Sequence, residues 1–177
     1  MASFRDLLRL HGVLEDLFLL HQEALLLLDV NAARELLAIY RELLAIHMHH
    51  EETRVLPLLP PVKKWPKVLY TGQHEKMRAH LDAIEQRLTA LSTAAPDRRA
   101  VLALLDAEAT YKHLEEHHDG AEREGLFPIT DEVTPALERE RVVGGILAEW
   151  QALEQRHAPR IDALRNAVAQ RAQRLFD

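Results

Sequence analysis

Four residue types recur in one frame along this chain: Tyr40, His47, Glu51 and Pro57 return as Tyr111, His118, Glu122 and Pro128, each 71 positions later. Within each copy the His and Glu are four residues apart. On an α-helix that is about 40° of rotation and about 6 Å of rise, so both side chains leave one face. The preceding segment repeats as well, at an offset of 63: His11, Leu14, Phe18, Leu25 and Leu28 correspond to His74, Met77, Leu81, Leu88 and Leu91. The chain reads as two copies of one helical hairpin, with an early His on the first helix and a late His-x-x-x-Glu on the second. This pattern predicts an all-α protein, an up-down-up-down four-helix bundle with a C-terminal helical extension.

Helical periodicity carries that reading along the chain, and six glycines are too few to punctuate an all-β domain. The first helix is expected over Ser3 to Leu28, with Leu7, His11, Leu14, Phe18, Leu25 and Leu28 as its inward stripe. The second begins at an Asn31 cap and stops before the Pro57, Pro60, Pro61 cluster, because proline cannot donate to the helix ladder. The third runs from near Trp65 to Leu91, and the fourth from Asp97 to Phe127, closed by Pro128. Residues 1–131 form the expected bundle, and 132–177 the extension. In the extension, a helical region containing Val142, Ile146, Trp150 and Leu153 follows Pro135. Pro159 is expected to interrupt it before a last amphipathic stretch, Ile161 to Leu175. Its apolar face suits either packing on the bundle or a homodimer.

Spacing also sets heights. His11 lies about 18 residues before the turn at Asp29, and His47 about 16 after Asn31. At about 1.5 Å per residue they share one level of an antiparallel hairpin. His74 and His118 stand about 18 and 21 residues from the Ser92 to Asp97 turn, which brings all four into one layer.

Composition narrows the chemistry available to that layer. With 177 residues, 47% of them hydrophobic, the chain can bury a sizeable core. The sequence has no cysteine, so a metal would be held by nitrogen and oxygen alone, and a reducing cytoplasmic setting is compatible. The formal net charge of −6 with mixed signs argues against nucleic acid as a partner. Uninterrupted apolar runs such as Ala24 to Leu28 are far too short to span a bilayer, and Met1 to Arg9 lacks the apolar stretch of a signal peptide. Neither membrane insertion nor export is therefore expected.

Four imidazoles (His11, His47, His74, His118) and two carboxylates (Glu51, Glu122) from four helices match a two-metal site better than a single ion. A carboxylate from each hairpin can bridge two cations at roughly 3.5 to 4 Å, the usual spacing of such sites. Two divalent ions with two carboxylates leave a net positive centre, which favours hydroxide, oxide or reduced oxygen species as further ligands.

As a set, these motifs resemble the hemerythrin-like family, the HHE cation-binding domain, over roughly Phe4 to Pro128. The resemblance rests on a His in the first helix, His-x-x-x-Glu ending at a proline in the second, an early His in the third, and His-x-x-x-Glu followed by Leu-Phe-Pro in the fourth. It implies a hemerythrin-like bundle holding two non-haem iron ions, with or without an oxo or hydroxo bridge. Glu51 and Glu122 would bridge, with His11 and His47 on one iron and His74 and His118 on the other. It implies as partner a small diatomic ligand or peroxide, for sensing or for reaction. Enzymatic detoxification of peroxide or nitric oxide, and iron storage or delivery, remain alternatives. Oxygen-carrying members place a second His four residues after the one in the third helix, where this chain has Arg78.

Other residues carry weaker signals. His50, His117 and Glu15 stand close enough to substitute for a proposed ligand. Tyr40 and Tyr111 lie two turns behind the ligand histidines, to hydrogen-bond the site or to pack with their hydroxyls satisfied elsewhere. His21, about 15 Å along the helix from His11, is a core or interfacial residue. Gly120 either loosens the fourth helix beside the metal or is tolerated near a helix end. A ferritin-like site needs Glu-x-x-His on two helices, and only Glu115 with His118 supplies it. A purely structural helical interaction module leaves the duplicated histidines unexplained.

Overall fold

A computed structural model describes residues 2–176, except the side chains of 175 and 176. Met1, Asp177 and the Leu175 side chain, included in the expected segments, lie outside the described residues. All regular structure in that span is helical, without a strand. After a 3₁₀ turn at Phe4–Leu7 come α1 (Leu8–Leu26), α2 (Val30–His50), α3 (Lys67–Ala90), α4 (Arg98–Ala121), α5 (Phe127–Val133) and α6 (Ala136–Phe176).

The inward stripes explain the packing. Leu14, Phe18 and Leu25 of α1 and Leu36, Tyr40, Leu43 and Leu44 of α2 are buried, as are Met77, Leu81 and Leu88 of α3 and Leu104 and Tyr111 of α4. α1 packs on α2, α2 on α3, α3 on α4 and α4 on α1, so the four helices close a ring around these side chains. The α1–α2 turn is tight. Leu28 adopts φ 57°, a left-handed conformation in which glycine is usual, while the Asp29 N–H donates to the Ala24 carbonyl. The cap of α2 is Asp29, whose carboxylate accepts from the Ala32 N–H at 3.1 Å, and not Asn31 as the sequence suggested. Arg34 caps the far end of α3 by donating to the Thr89 and Leu91 carbonyls at 2.9 and 2.7 Å.

Pro128 and Pro159 behave differently from the sequence expectation. Pro57 and Pro128 each sit at the start of a new helical turn, where no N–H is required; the helical run after α2 stops at Leu58, before Pro60 and Pro61, whereas the chain stays helical through Pro128. A 3₁₀ turn, Leu56–Leu58, carries Pro57, and α5 carries Pro128. Pro159 lies inside α6 without interrupting it. That helix is fastened on both sides of the proline: His157 meets Glu42 at 3.3 Å, Arg160 pairs with Glu35, and Arg171 donates to the Leu27 carbonyl at 2.9 Å. α6 packs along α1 and α2, burying Val143, Ile146, Trp150 and Leu153, with Val142 only partly covered.

Candidate metal centre

The irregular turns of the fold begin on two carboxylates. α2 passes into a π-helical turn, Glu51–Val55, and α4 into a second, Glu122–Leu126, so each turn starts at the Glu of a His-x-x-x-Glu pair. A π turn inserts one residue into the helical ladder and redirects the side chains around it. α4 itself is regular through Gly120, where an added Cβ would meet nothing within 4 Å. The crowded glycine is Gly125: a Cβ there would stand 2.5 Å from Trp65 Cγ, so the indole lies directly on the second π turn.

The six residues singled out by spacing come together here as two groups, His11, His47, Glu51 and Glu122 in one and Glu51, His74, His118 and Glu122 in the other. In the first, His11 Nε2 and His47 Nε2 face each other at 3.1 Å; in the second, His74 Nε2 and His118 Nε2 do so at 3.2 Å. Each carboxylate touches both pairs. Glu51 Oε1 is 3.1 Å from His47 and Oε2 is 3.2 Å from His74, while Glu122 Oε2 is 3.2 Å from His11 and Oε1 is 3.2 Å from His118. Five of the six are buried and His11 is partly so.

The outer nitrogens of three imidazoles are held by acceptors. His11 Nδ1 meets Asp119, His74 Nδ1 meets Glu52 at 2.8 Å, and His118 Nδ1 meets the Gln73 amide oxygen at 3.1 Å. These contacts put the ring proton on Nδ1 and turn the Nε2 lone pair inward. In the neutral rings facing lone pairs repel and the carboxylates find no donor; protons on His11 and His118 relieve this in the metal-free protein, and a cation can take their place. All four oxygens of Glu51 and Glu122 are buried without a hydrogen-bond donor. Unpaired buried carboxylates are costly, and a cation between the nitrogens and oxygens removes both penalties. The donor set therefore fits metal ions.

The same electrostatics act on protons. Burial pulls the His11 imidazole down, but its bond to Asp119 and the Glu122 carboxylate outweigh this and hold it at about 10. His118 stands at about 10 as well, burial again being outweighed, here by Glu122 and Glu51. Burial lowers His47 to about 4, with His11 and His118 adding to the shift against Glu51 and Glu122. Burial tends to raise Glu51, yet the surrounding histidines keep it well below the usual carboxylate range.

Other sequence candidates are placed elsewhere. Arg78 turns outward and donates to Glu52 Oε1 at 2.8 Å, the atom that receives His74 Nδ1, so this position steadies the Glu52–His74 contact and brings no group into the centre. His50 points to Glu149 of α6 at 3.0 Å, where Arg54 also binds. His117 lies outside on α4 beside His113. Tyr40 and Tyr111 share a hydrogen bond through their hydroxyls, and Tyr40 also donates to Glu115 at 2.9 Å. His21 is core, paired with Glu108.

Asp119, Glu52 and Gln73 were not legible in the sequence as partners of His11, His74 and His118. Each is the sequence neighbour of one of the six clustered residues, and neighbours on a helix point about 100° apart, so spacing on one face gives no sign of them. Beside the centre a cavity of about 150 Å³ is lined by His11, His47, His118, Leu14, Leu44 and Met77, with Glu115 and Glu15 also in its wall. Trp150 of α6 closes on His47, ring centroids 6.3 Å apart.

No protein-family model, curated protein or solved structure matches this chain. The geometry of the centre therefore carries the functional argument. Among the described residues, no helix is long and apolar enough to cross a membrane.

Proposed function

We propose that this chain is a hemerythrin-like four-helix bundle that binds two non-haem iron ions and senses or reacts with oxygen, peroxide or nitric oxide. The observation that carries the reading is the pair of carboxylates, each in contact with both histidine pairs. Two groups of two imidazoles, joined by two shared carboxylates, suit two ions better than one. Iron is the choice because nitrogen and oxygen ligands without sulfur accommodate it and the motif resemblance implies it. When bound, an iron pair supplies one-electron chemistry and coordination positions for a small ligand.

The chain's own residues define what reaches the centre. His11, His47, His74 and His118 hold the ions, and Glu51 and Glu122 offset their charge. Asp119, Glu52 and Gln73 fix the ring orientations and keep a proton on Nδ1. The adjoining cavity supports a small guest: a single water needs only about 10–15 Å³ of such space, so about 150 Å³ admits a diatomic molecule or peroxide with room to spare. Its wall combines Leu14, Leu44 and Met77 with Glu15, Lys112 and Glu115, and a space for one small guest favours sensing or reaction over storage of many ions.

Metal analysis of protein from iron-replete cells tests the centre, with close to two irons per chain expected. Less than one iron, with no other metal in its place, sinks it. Optical spectra of the reduced iron protein, with oxygen, peroxide and nitric oxide added separately, test the reactivity. A reversible oxygen spectrum supports sensing or carriage, repeated consumption of peroxide or nitric oxide supports an enzyme, and no response to any of the three refutes the redox reading.

A further inference from the structure

A third pair of imidazoles faces nitrogen to nitrogen, outside the buried centre. His113 and His117, one helical turn apart on α4, have ring centroids 4.5 Å apart and Nε2 atoms 3.2 Å apart, with both residues exposed. Two donors each about 2.05 Å from one ion are about 2.9 Å apart at a right angle and about 3.4 Å apart at a tetrahedral one. The observed separation falls between these limits and equals that of His74 and His118 in the buried centre.

Three further features suit the pair to a cation. α4 is held rigidly by its opposite face, where Leu104, Tyr111 and His118 are buried, so the two rings are carried on a fixed scaffold. Glu116 brings a carboxylate oxygen to 3.9 Å from His113 Nδ1, adding negative charge on the outer side. The remaining coordination positions open to water. His117 neighbours His118 in sequence, but about 100° of helical rotation separates their directions, one outward and one into the core.

We propose that His113 and His117 form a separate, solvent-open binding site for one late first-row divalent ion. Zinc, nickel and copper are the chemical class, with copper bound most tightly because stability for nitrogen donors rises toward it along the series. Exposure makes this ion weaker-bound and faster to exchange than those of the buried centre. The site stands on its own geometry and does not depend on the buried centre holding iron.

Copper(II) and zinc(II) titrations of the intact chain test it, on protein whose tightly held metal is measured before and after. The wild type is expected to bind one additional ion per chain. His113→Ala and His117→Ala should each weaken that ion about tenfold or more, since a single imidazole loses the chelate advantage. His49→Ala, which removes an exposed histidine from α2, should leave it unchanged. Copper should broaden the NMR signals of His113 and His117 before those of other exposed histidines. Because both side chains are exposed, thermal midpoints of the variants should match the wild type. Should His117→Ala disturb His118 and lower the tightly held metal, His113→Ala alone decides. Unchanged affinity in His113→Ala, an equal loss in His49→Ala, or no additional ion in the wild type would each overturn the proposal.

Discussion

His21 Nε2 lies 2.9 Å from Glu108 Oε1, and neither side chain reaches solvent. His21 Nδ1 donates to the Ala33 carbonyl at 2.8 Å, and Gln22 donates to the other Glu108 oxygen at 3.0 Å. The pair thus ties α1, α2 and α4 together well away from the metal centre. Removing one member leaves the other buried without its partner, which costs about 3 to 5 kcal/mol. Glu108→Ala is expected to lose that much in urea denaturation while metal content per folded chain stays unchanged. A loss below about 1 kcal/mol, the scale of a single neutral hydrogen bond, would show that the pair contributes little to holding the helices.

Glu51 and Glu122 are each shared between the two groups, whereas each histidine serves one. Glu51→Ala or Glu122→Ala is therefore expected to lose most of the bound metal, and His11→Ala to lose less. Metal analysis after dialysis distinguishes the two classes, and equal loss in all three variants would argue against shared carboxylates.

Glu52 receives both His74 Nδ1 and Arg78. Partners of this kind orient a ligand imidazole, and removing one weakens metal binding about 10–100-fold. Glu52→Ala should show that loss in competition with a chelator. Arg78→Ala, which leaves the His74 contact in place, should show a smaller one.

Gly125 has no room for a side chain because the Trp65 indole lies against it. Gly125→Ala must displace the ring, and overpacking of this kind costs about 1–3 kcal/mol. A lower melting temperature together with a changed Trp emission is expected. Unchanged values of both would mean that Trp65 moves aside freely.

A metal held at the centre would compete with protons for one set of nitrogens. His11 and His118 are raised to about 10, so at neutral pH both carry protons that metal must displace. Calorimetry in buffers of different ionisation enthalpy should register proton release on loading, and affinity should rise with pH. For the metal-free protein the linkage runs in two directions. The contribution of His11 and His118 is full below their ordinary value of 6.5 and is lost as pH climbs toward 10. The contribution of His47, lowered to about 4, is full above 6.5 and is lost as pH falls toward 4. Chelated protein should therefore be most stable near neutrality in urea titrations, and a stability that rises steadily across this range would contradict the assignment.

Much of this protein is written locally. The 3.6-residue periodicity of the leucines sets the helices, because an apolar stripe must face a core. The spacing of His11, His47, His74 and His118 from the two turns sets their common height, because rise per residue is constant. Those two regularities specify an all-helical chain and the six side chains that meet in it. What they leave out depends on atoms distant in sequence. Pro128 and Pro159 read as breaks, yet a fresh helical turn opens at Pro128 and α6 runs on through Pro159. The turn of Asp119 toward His11, the docking of Trp65 on Gly125 and the seating of Trp150 beside His47 arise only when separate helices pack. Periodicity within a helix determines which face is buried; which neighbour that face meets, and which nitrogen of each imidazole turns inward, is decided by the tertiary packing.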